Sequence, residues 1–109
     1  MLATVSSNPV VATVTSLFGN VASVQAIAGS VTALTLFSTT TARAGATIWN
    51  DSSSRLYVKY GQNLSTTLYS FKIGPYGYWE MGPVGFAGII TGIWEVATGS
   101  AFTTQWSYS

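Results

Sequence analysis

The capacity of this 109-residue chain for acid–base chemistry rests on three carboxylates, Asp51, Glu80 and Glu95, because it has neither His nor Cys. A serine or threonine nucleophile would need Lys59 or Lys72 as its base, and no serine stands in a Gly-x-Ser-x-Gly setting. Two of the carboxylates could in principle form a glycosidase pair. The plainer reading makes Asp51 a turn residue and places Glu80 and Glu95 as charges on strand surfaces. The same acids make a poor metal cage, since hard cations take several oxygens close together and no loop has the acidic spacing of a calcium site. Gly82-Pro83-Val84-Gly85-Phe86-Ala87-Gly88 is glycine-rich, but it lacks the following helix and the Lys-Ser/Thr of a phosphate cradle. The expectation is a protein that is not an enzyme, with no catalytic residue, cofactor, metal or small-molecule substrate.

The distribution of charge says more than its chemistry. No charged residue precedes Arg43, every charge lies between Arg43 and Glu95, and charged residues make up 6% of the chain. A typical soluble domain devotes about a quarter of its residues to charge, so much of this surface is expected to face protein. The net charge of +1 and the isolated cations Arg43, Arg55, Lys59 and Lys72 offer no stripe for phosphates, which argues against nucleic acid as a partner. The length suits one domain with a real core. Apolar stretches before Phe37 are too interrupted by Ser, Thr, Asn and Gly to span a bilayer, and Met1-Leu2-Ala3-Thr4-Val5 lacks the positive start of a secretory peptide. No membrane partner is expected, and the chain reads as one made in a cytoplasm. The sequons Asn50-Asp51-Ser52 and Asn63-Leu64-Ser65 are then chance matches.

Positioning these residues falls to β structure. From Ser30 onward, runs rich in Val, Ile, Thr and aromatics alternate with Gly, Pro, Asn and Ser clusters, which predicts strands at residues 31–37, 46–50, 56–60, 67–73, 78–81, 88–94 and 101–106. Asn50-Asp51-Ser52-Ser53-Ser54 is a polar turn expected to join the second and third of these as a hairpin. Alternation puts Leu56, Val58 and Tyr60 on a buried face, with Tyr57 and Lys59 opposite. With no helix-length pattern between strands, the expected fold is all-β, a small antiparallel sandwich or barrel over residues 31–109.

Residues 1–30 read differently. They are uncharged, contain Asn8-Pro9, and mix Val and Ala with Ser, Thr and Gly, as an extended N-terminal arm would. Between Val14 and Ala28 the apolar spacing leaves helix and strand equally open. Extended, such an arm reaches up to about 100 Å at ~3.3 Å per residue. Lying on a partner's sheet edge, it would bind through main-chain hydrogen bonds while Val10, Val11, Leu17, Phe18 and Val21 fill pockets.

Aromatic residues, 14% of the chain, supply either core or contact surface. Trp49, Trp94 and Phe71 are flanked by apolar residues and are expected in the core. Tyr57, Tyr60, Tyr76, Tyr78 and Trp79 adjoin polar or turn residues and are the candidates for a contact surface. A carbohydrate-binding module resting on the aromatics near Tyr76 to Glu80 is the rival from another class.

Six segments in order carry a resemblance: Ala46-Thr47-Ile48-Trp49-Asn50-Asp51-Ser52, Leu56-Tyr57-Val58-Lys59-Tyr60-Gly61, Ser65-Thr66-Thr67, Gly77-Tyr78-Trp79-Glu80, Gly92-Ile93-Trp94 and Gly99-Ser100-Ala101. Over about two thirds of its length the chain resembles a family of small β-rich structural proteins of tailed phages and prophages. Within that family it is most similar to capsid cement or decoration proteins of the cyanophage type. The resemblance implies a non-enzymatic virion component on the capsid exterior, bound to the major capsid protein and self-associated as a homotrimer; a tail, fibre or spike component is the alternative. Members commonly carry a basic and an acidic residue where this chain has Phe102 and Gln105. That departure favours an apolar partner at this edge and adds Phe102 to the contact candidates.

Overall fold

The computed structural model describes residues 19–81 and 85–108. Eight strands follow in chain order: β1 (Gly19–Ala28), β2 (Leu34–Phe37), β3 (Arg43–Asp51), β4 (Leu56–Tyr60), β5 (Phe71–Ile73), β6 (Tyr78–Glu80), β7 (Ile90–Trp94) and β8 (Ser100–Tyr108). They form two four-stranded sheets, sheet I in the order β1-β8-β3-β6 and sheet II in the order β2-β7-β4-β5, and every paired neighbour is antiparallel. The fold is a small β-sandwich.

Period-two alternation builds its core. Ala46, Ile48 and Asn50 on β3 and Ala101 and Thr103 on β8 point inward from sheet I; Leu56 and Val58 on β4, Ile73 on β5 and Ile90 and Trp94 on β7 meet them from sheet II. Leu36 and Phe37 are both buried because the β2–β7 register shifts between Thr35 and Phe37, and the bulge turns two successive side chains inward. Leu36 then fills the space over Gly92, where a Cβ would stand 2.7 Å from its Cδ1. At ~1.5–3 kcal/mol for each large apolar side chain, this cluster dominates the favourable side of folding.

Asn50 is the joint between the sheets. It is fully buried, yet its Nδ2 donates to the carbonyls of Ser54 (2.7 Å), Ile73 (3.1 Å) and Gly74 (3.0 Å), and its Oδ1 accepts from Ser52 Oγ (2.8 Å) and Trp94 Nε1 (3.2 Å). A buried amide satisfied at both ends rigidifies its surroundings, and one left unsatisfied is costly. Here it bends the chain at residues 50–54 from β3 in sheet I to β4 in sheet II. The expected hairpin is therefore a crossing between sheets, and β3 and β4 are not neighbours.

All seven strands anticipated after Ser30 are present, with Leu56–Tyr60 matching in both bounds and the expected 67–73 reduced to Phe71–Ile73. The larger difference precedes them. Gly19–Ala28, expected within the arm, is β1, paired along β8 from Gly19↔Tyr108 to Ala28↔Ser100. Its mixture of Val, Ala, Ser and Gln, with no continuous buried stripe, suits an edge position, and β8 is long enough to hold it. The earlier part of the arm, with Val10, Val11, Leu17 and Phe18, lies outside the described residues.

Candidate protein-binding surface

Directly opposite residues of antiparallel strands share a face, so the registers of β1, β8, β3 and β6 define the outer surface of sheet I. One row across the strands reads Tyr78, Trp49, Phe102, Ala26. The next reads Glu80, Thr47, Thr104, Val24, and the third Gly45, Trp106, Ala22. Tyr78 is 60%, Trp49 54%, Phe102 39% and Val24 63% exposed, an unusual amount of apolar surface on one flat face. Glu80, held by Tyr78 Oη at 3.3 Å, and Asp51 are the charges that the face carries.

The glycine in the third row has a structural reason. A Cβ at Gly45 would collide with the indole of Trp106, its opposite residue, so the ring lies across bare backbone. An aromatic covering a cross-strand glycine restores the packing that the missing side chain forfeits.

Sheet II presents a different outer face. Tyr57 points outward from β4 but is only 6% exposed, because Tyr69 from the loop before β5 packs edge-on against it with ring centroids 4.9 Å apart. Its hydroxyl donates to Glu95 Oε2 at 2.9 Å, and Arg55 stands 3.6 Å from the same oxygen. Hydrogen bonding to Tyr57, then the charge of Glu95, hold the Arg55 pKa above the usual guanidinium value. Lys72 lies 6.0 Å over the Tyr69 ring, and Lys59 Nζ donates to the Gln62 carbonyl at 2.6 Å. Cations and solvated polar groups mark this as a water-facing surface.

A third feature lies where β1 overhangs the sandwich. Its inward residues Ser23 and Gln25, with Thr103 and Gln105 of β8, face Thr35 to Ser38 of β2 across an uncharged groove of about 270 Å³. Next to Ser38 and Gln105 of that groove Arg43 is buried, and among the described residues no carboxylate pairs with it. Its Nε donates to Gln105 Oε1 (3.1 Å), its two terminal nitrogens to the carbonyls of Phe86, Gly88 and Ser38, and its guanidinium sits 5.3 Å from the Phe37 ring centroid. Burial lowers its pKa from the ordinary value, but a guanidinium stays charged, and the carbonyl dipoles are what neutralise it.

The contact candidates scatter in this frame. Tyr78 and Phe102 stand side by side with Trp49 on the outer face of sheet I, and Tyr76, at φ +58°, is exposed in the turn before β6. Two placements correct the sequence reading. Tyr57 is buried under Tyr69, and Trp79 points inward opposite Ile48 and stacks on Phe71 at 4.9 Å. Val21 is in β1, paired with Ser107. Trp49, expected in the core, is the most exposed tryptophan among the described residues, since Ile48 and Asn50 on either side take the inward positions. Alternation around the buried Asn50 would have revealed this, but Asn is ordinarily read as a turn residue.

The same geometry settles Asn50-Asp51-Ser52, because a fully buried, fully bonded amide offers no nitrogen for a glycan. Among the described residues no group of three or more acidic, His or Cys side chains gathers to hold a metal. Comparison of the chain with protein-family models, curated proteins and solved structures gives no match.

Proposed function

We propose that this chain is a non-enzymatic virion protein of a tailed phage that decorates the capsid exterior, bound to the major capsid protein. The observation that carries the reading is β1, a ten-residue strand without a charge, joined to the sandwich through β8 alone and exposed at Ala22 to Ala26 on both faces. Soluble proteins guard such an edge with Lys, Pro or a covering loop; β1 contains neither Lys nor Pro, and no loop among the described residues pairs with its outer edge. An edge of this kind suits main-chain pairing with a neighbouring protein, and the resemblance supplies the neighbour.

The test is to add purified protein to undecorated capsids and to locate it on complete particles by electron microscopy. Full-length chain is expected on the head. A truncation lacking residues 2–18, which leaves β1 and the sandwich in place, is expected to lose at least ~10-fold in shell affinity, the loss of a few main-chain hydrogen bonds and their pockets. Undiminished decoration by the truncated chain rejects binding by the arm that precedes β1, absence from the head rejects the decoration role, and label confined to the tail favours the fibre or spike alternative.

A second reading has one observation in its favour, the row of exposed Tyr78, Trp49 and Phe102 with Asp51 and Glu80 beside it, an arrangement able to stack against sugar rings. Specific signals on a glycan array, abolished by Trp49→Ala, would establish it. The inward placement of Trp79 makes Trp79→Ala the wrong probe.

A further inference from the structure

We infer that the outer face of sheet I is a self-complementary surface that pairs two copies of this chain about a two-fold axis running along the strands, between β3 and β8. The argument is one of shape. Half of the face is bulky, with Tyr78 on β6, Trp49 on β3 and Phe102 and Trp106 on β8, and the remaining edge is low, with Ala22, Val24, Ala26 and Ala28 on β1. An isologous interface places each patch against its counterpart by symmetry. An axis along the strands sets β6 of one copy over β1 of the other, so the tall edge of each enters the low edge of its mate.

Specific pairs follow. Tyr78 lies over the second copy's Ala26, Trp49 meets Phe102, Thr47 meets Thr104, and Glu80 lies over Val24. The alternative two-fold, across the strands, would oppose Glu80 to Glu80 and bury like charges, which is unfavourable. Sheets that pack face to face do so ~10 Å apart with strands within ~30° of alignment, which preserves pairs close to the axis and shifts the outer β6–β1 pair by about 4 Å, still within reach of a charge interaction.

The area is adequate for a reversible pair. Four strands ~4.8 Å apart and three rows ~7 Å apart give a projected face of roughly 400 Å² per copy, and side chains standing off it raise the accessible area toward the ~800 Å² per partner of a standard interface. A dissociation constant in the micromolar range is expected for an interface at that lower margin. Nothing in the pairing involves the free edge of β1 or a capsid, so it stands or falls separately from the decoration role.

The experiment is sedimentation equilibrium of the full chain from about 1 to 200 µM, a range that brackets micromolar affinity. The expected mass at the upper end is twice 11.5 kDa. Trp49→Arg is expected to give monomer throughout. Val24 distinguishes the stated geometry from generic stickiness, because Val24→Glu puts a carboxylate over the second copy's Glu80 and Val24→Lys puts an ammonium there. The first should weaken pairing at least ~10-fold, and the second should leave it equal or tighter. Circular dichroism confirms folding, which an edge residue this exposed does not threaten. Since the chain has no cysteine, Thr104→Cys also supplies a unique thiol near the axis, to be joined by a short bis-maleimide faster than Lys72→Cys on the opposite sheet. A monomer at all concentrations, a trimer, equal loss in the two Val24 variants, or equal cross-linking of the two cysteines would each overturn the proposal.

Discussion

The two outer faces of the sandwich are built on the same alternation and have opposite character. Sheet I turns Trp49, Tyr78 and Phe102 outward, whereas sheet II covers its one large outward aromatic, Tyr57, with Tyr69 and surrounds it with Arg55, Lys59, Lys72 and Glu95. A low charge content is therefore not spread evenly. Three of the four cations serve one face, and the other is left with exposed aromatic rings. Composition alone averages over this difference, so a charge content of 6% does not say which face is left apolar.

The contrast is most severely broken at the joint that holds the faces apart. Asn50→Ala removes the partners of three carbonyls and of the Trp94 indole at once, and is expected to destabilise by about 3 kcal/mol or more, read as a fall in the urea midpoint. Next comes Arg43→Met, which leaves the carbonyls of Ser38, Phe86 and Gly88 without their donor and should lower stability by about 2 kcal/mol. Arg43→Lys recovers little, because one ammonium cannot reproduce the planar fork.

The comparison itself is tested by a matched pair. Tyr57→Ala should reduce stability by about 2–3 kcal/mol, since it empties a covered site, while Trp49→Ala should change it by less than about 1 kcal/mol despite deleting a larger ring. Equal losses in thermal unfolding would mean that the exposed face is a structural element of the monomer.

The smallest effect concerns Tyr60, which is 38% exposed but whose ring packs against Phe71, Trp79 and Phe86, so that partial desolvation holds its phenol above the ordinary tyrosine pKa. The folded state then keeps that proton more tightly than the unfolded chain. Its contribution to stability is complete below the unfolded value of ~10 and is lost as pH rises through the folded one. Unfolding measured between neutral pH and this range should show a downward slope that Tyr60→Phe reduces.

Much of the sandwich was legible because strands announce themselves by alternation between turn signals. Leu56, Val58 and Trp94 fall in the core as expected, whereas Tyr60, expected on the same buried face, is exposed at the end of β4, where the strand runs out of the sandwich. What could not be read was pairing. Nothing local distinguishes an Asn-Asp-Ser turn that closes a hairpin from one that crosses between sheets; the difference lies in where the Asn50 side chain finds its partners, 23 and 44 residues away. Gly19–Ala28 was obscure for a related reason. An edge strand lacking its own buried stripe carries almost no periodic signal, and only β8, at the other end of the described chain, gives it a place. Of the contact candidates, Tyr78 and Phe102, chosen from polar neighbours and a missing charge, are exposed side by side on sheet I. Trp49 was expected in the core because of apolar neighbours such as Ile48, although the inward placement of Ile48 and Asn50 on either side is what turns it outward.

The position of β8 between β1 and β3 imposes an order of events during synthesis. Both strands are made long before their common partner, so neither can complete its ladder until Ser100–Tyr108 has emerged. Pairings so distant in sequence close slowly, and in the interval Gly19–Ala28 is an uncharged strand with two open edges. Rapid, crowded production would expose many such strands at once, and a solubility that depends on expression rate more than on final stability is the outcome to expect.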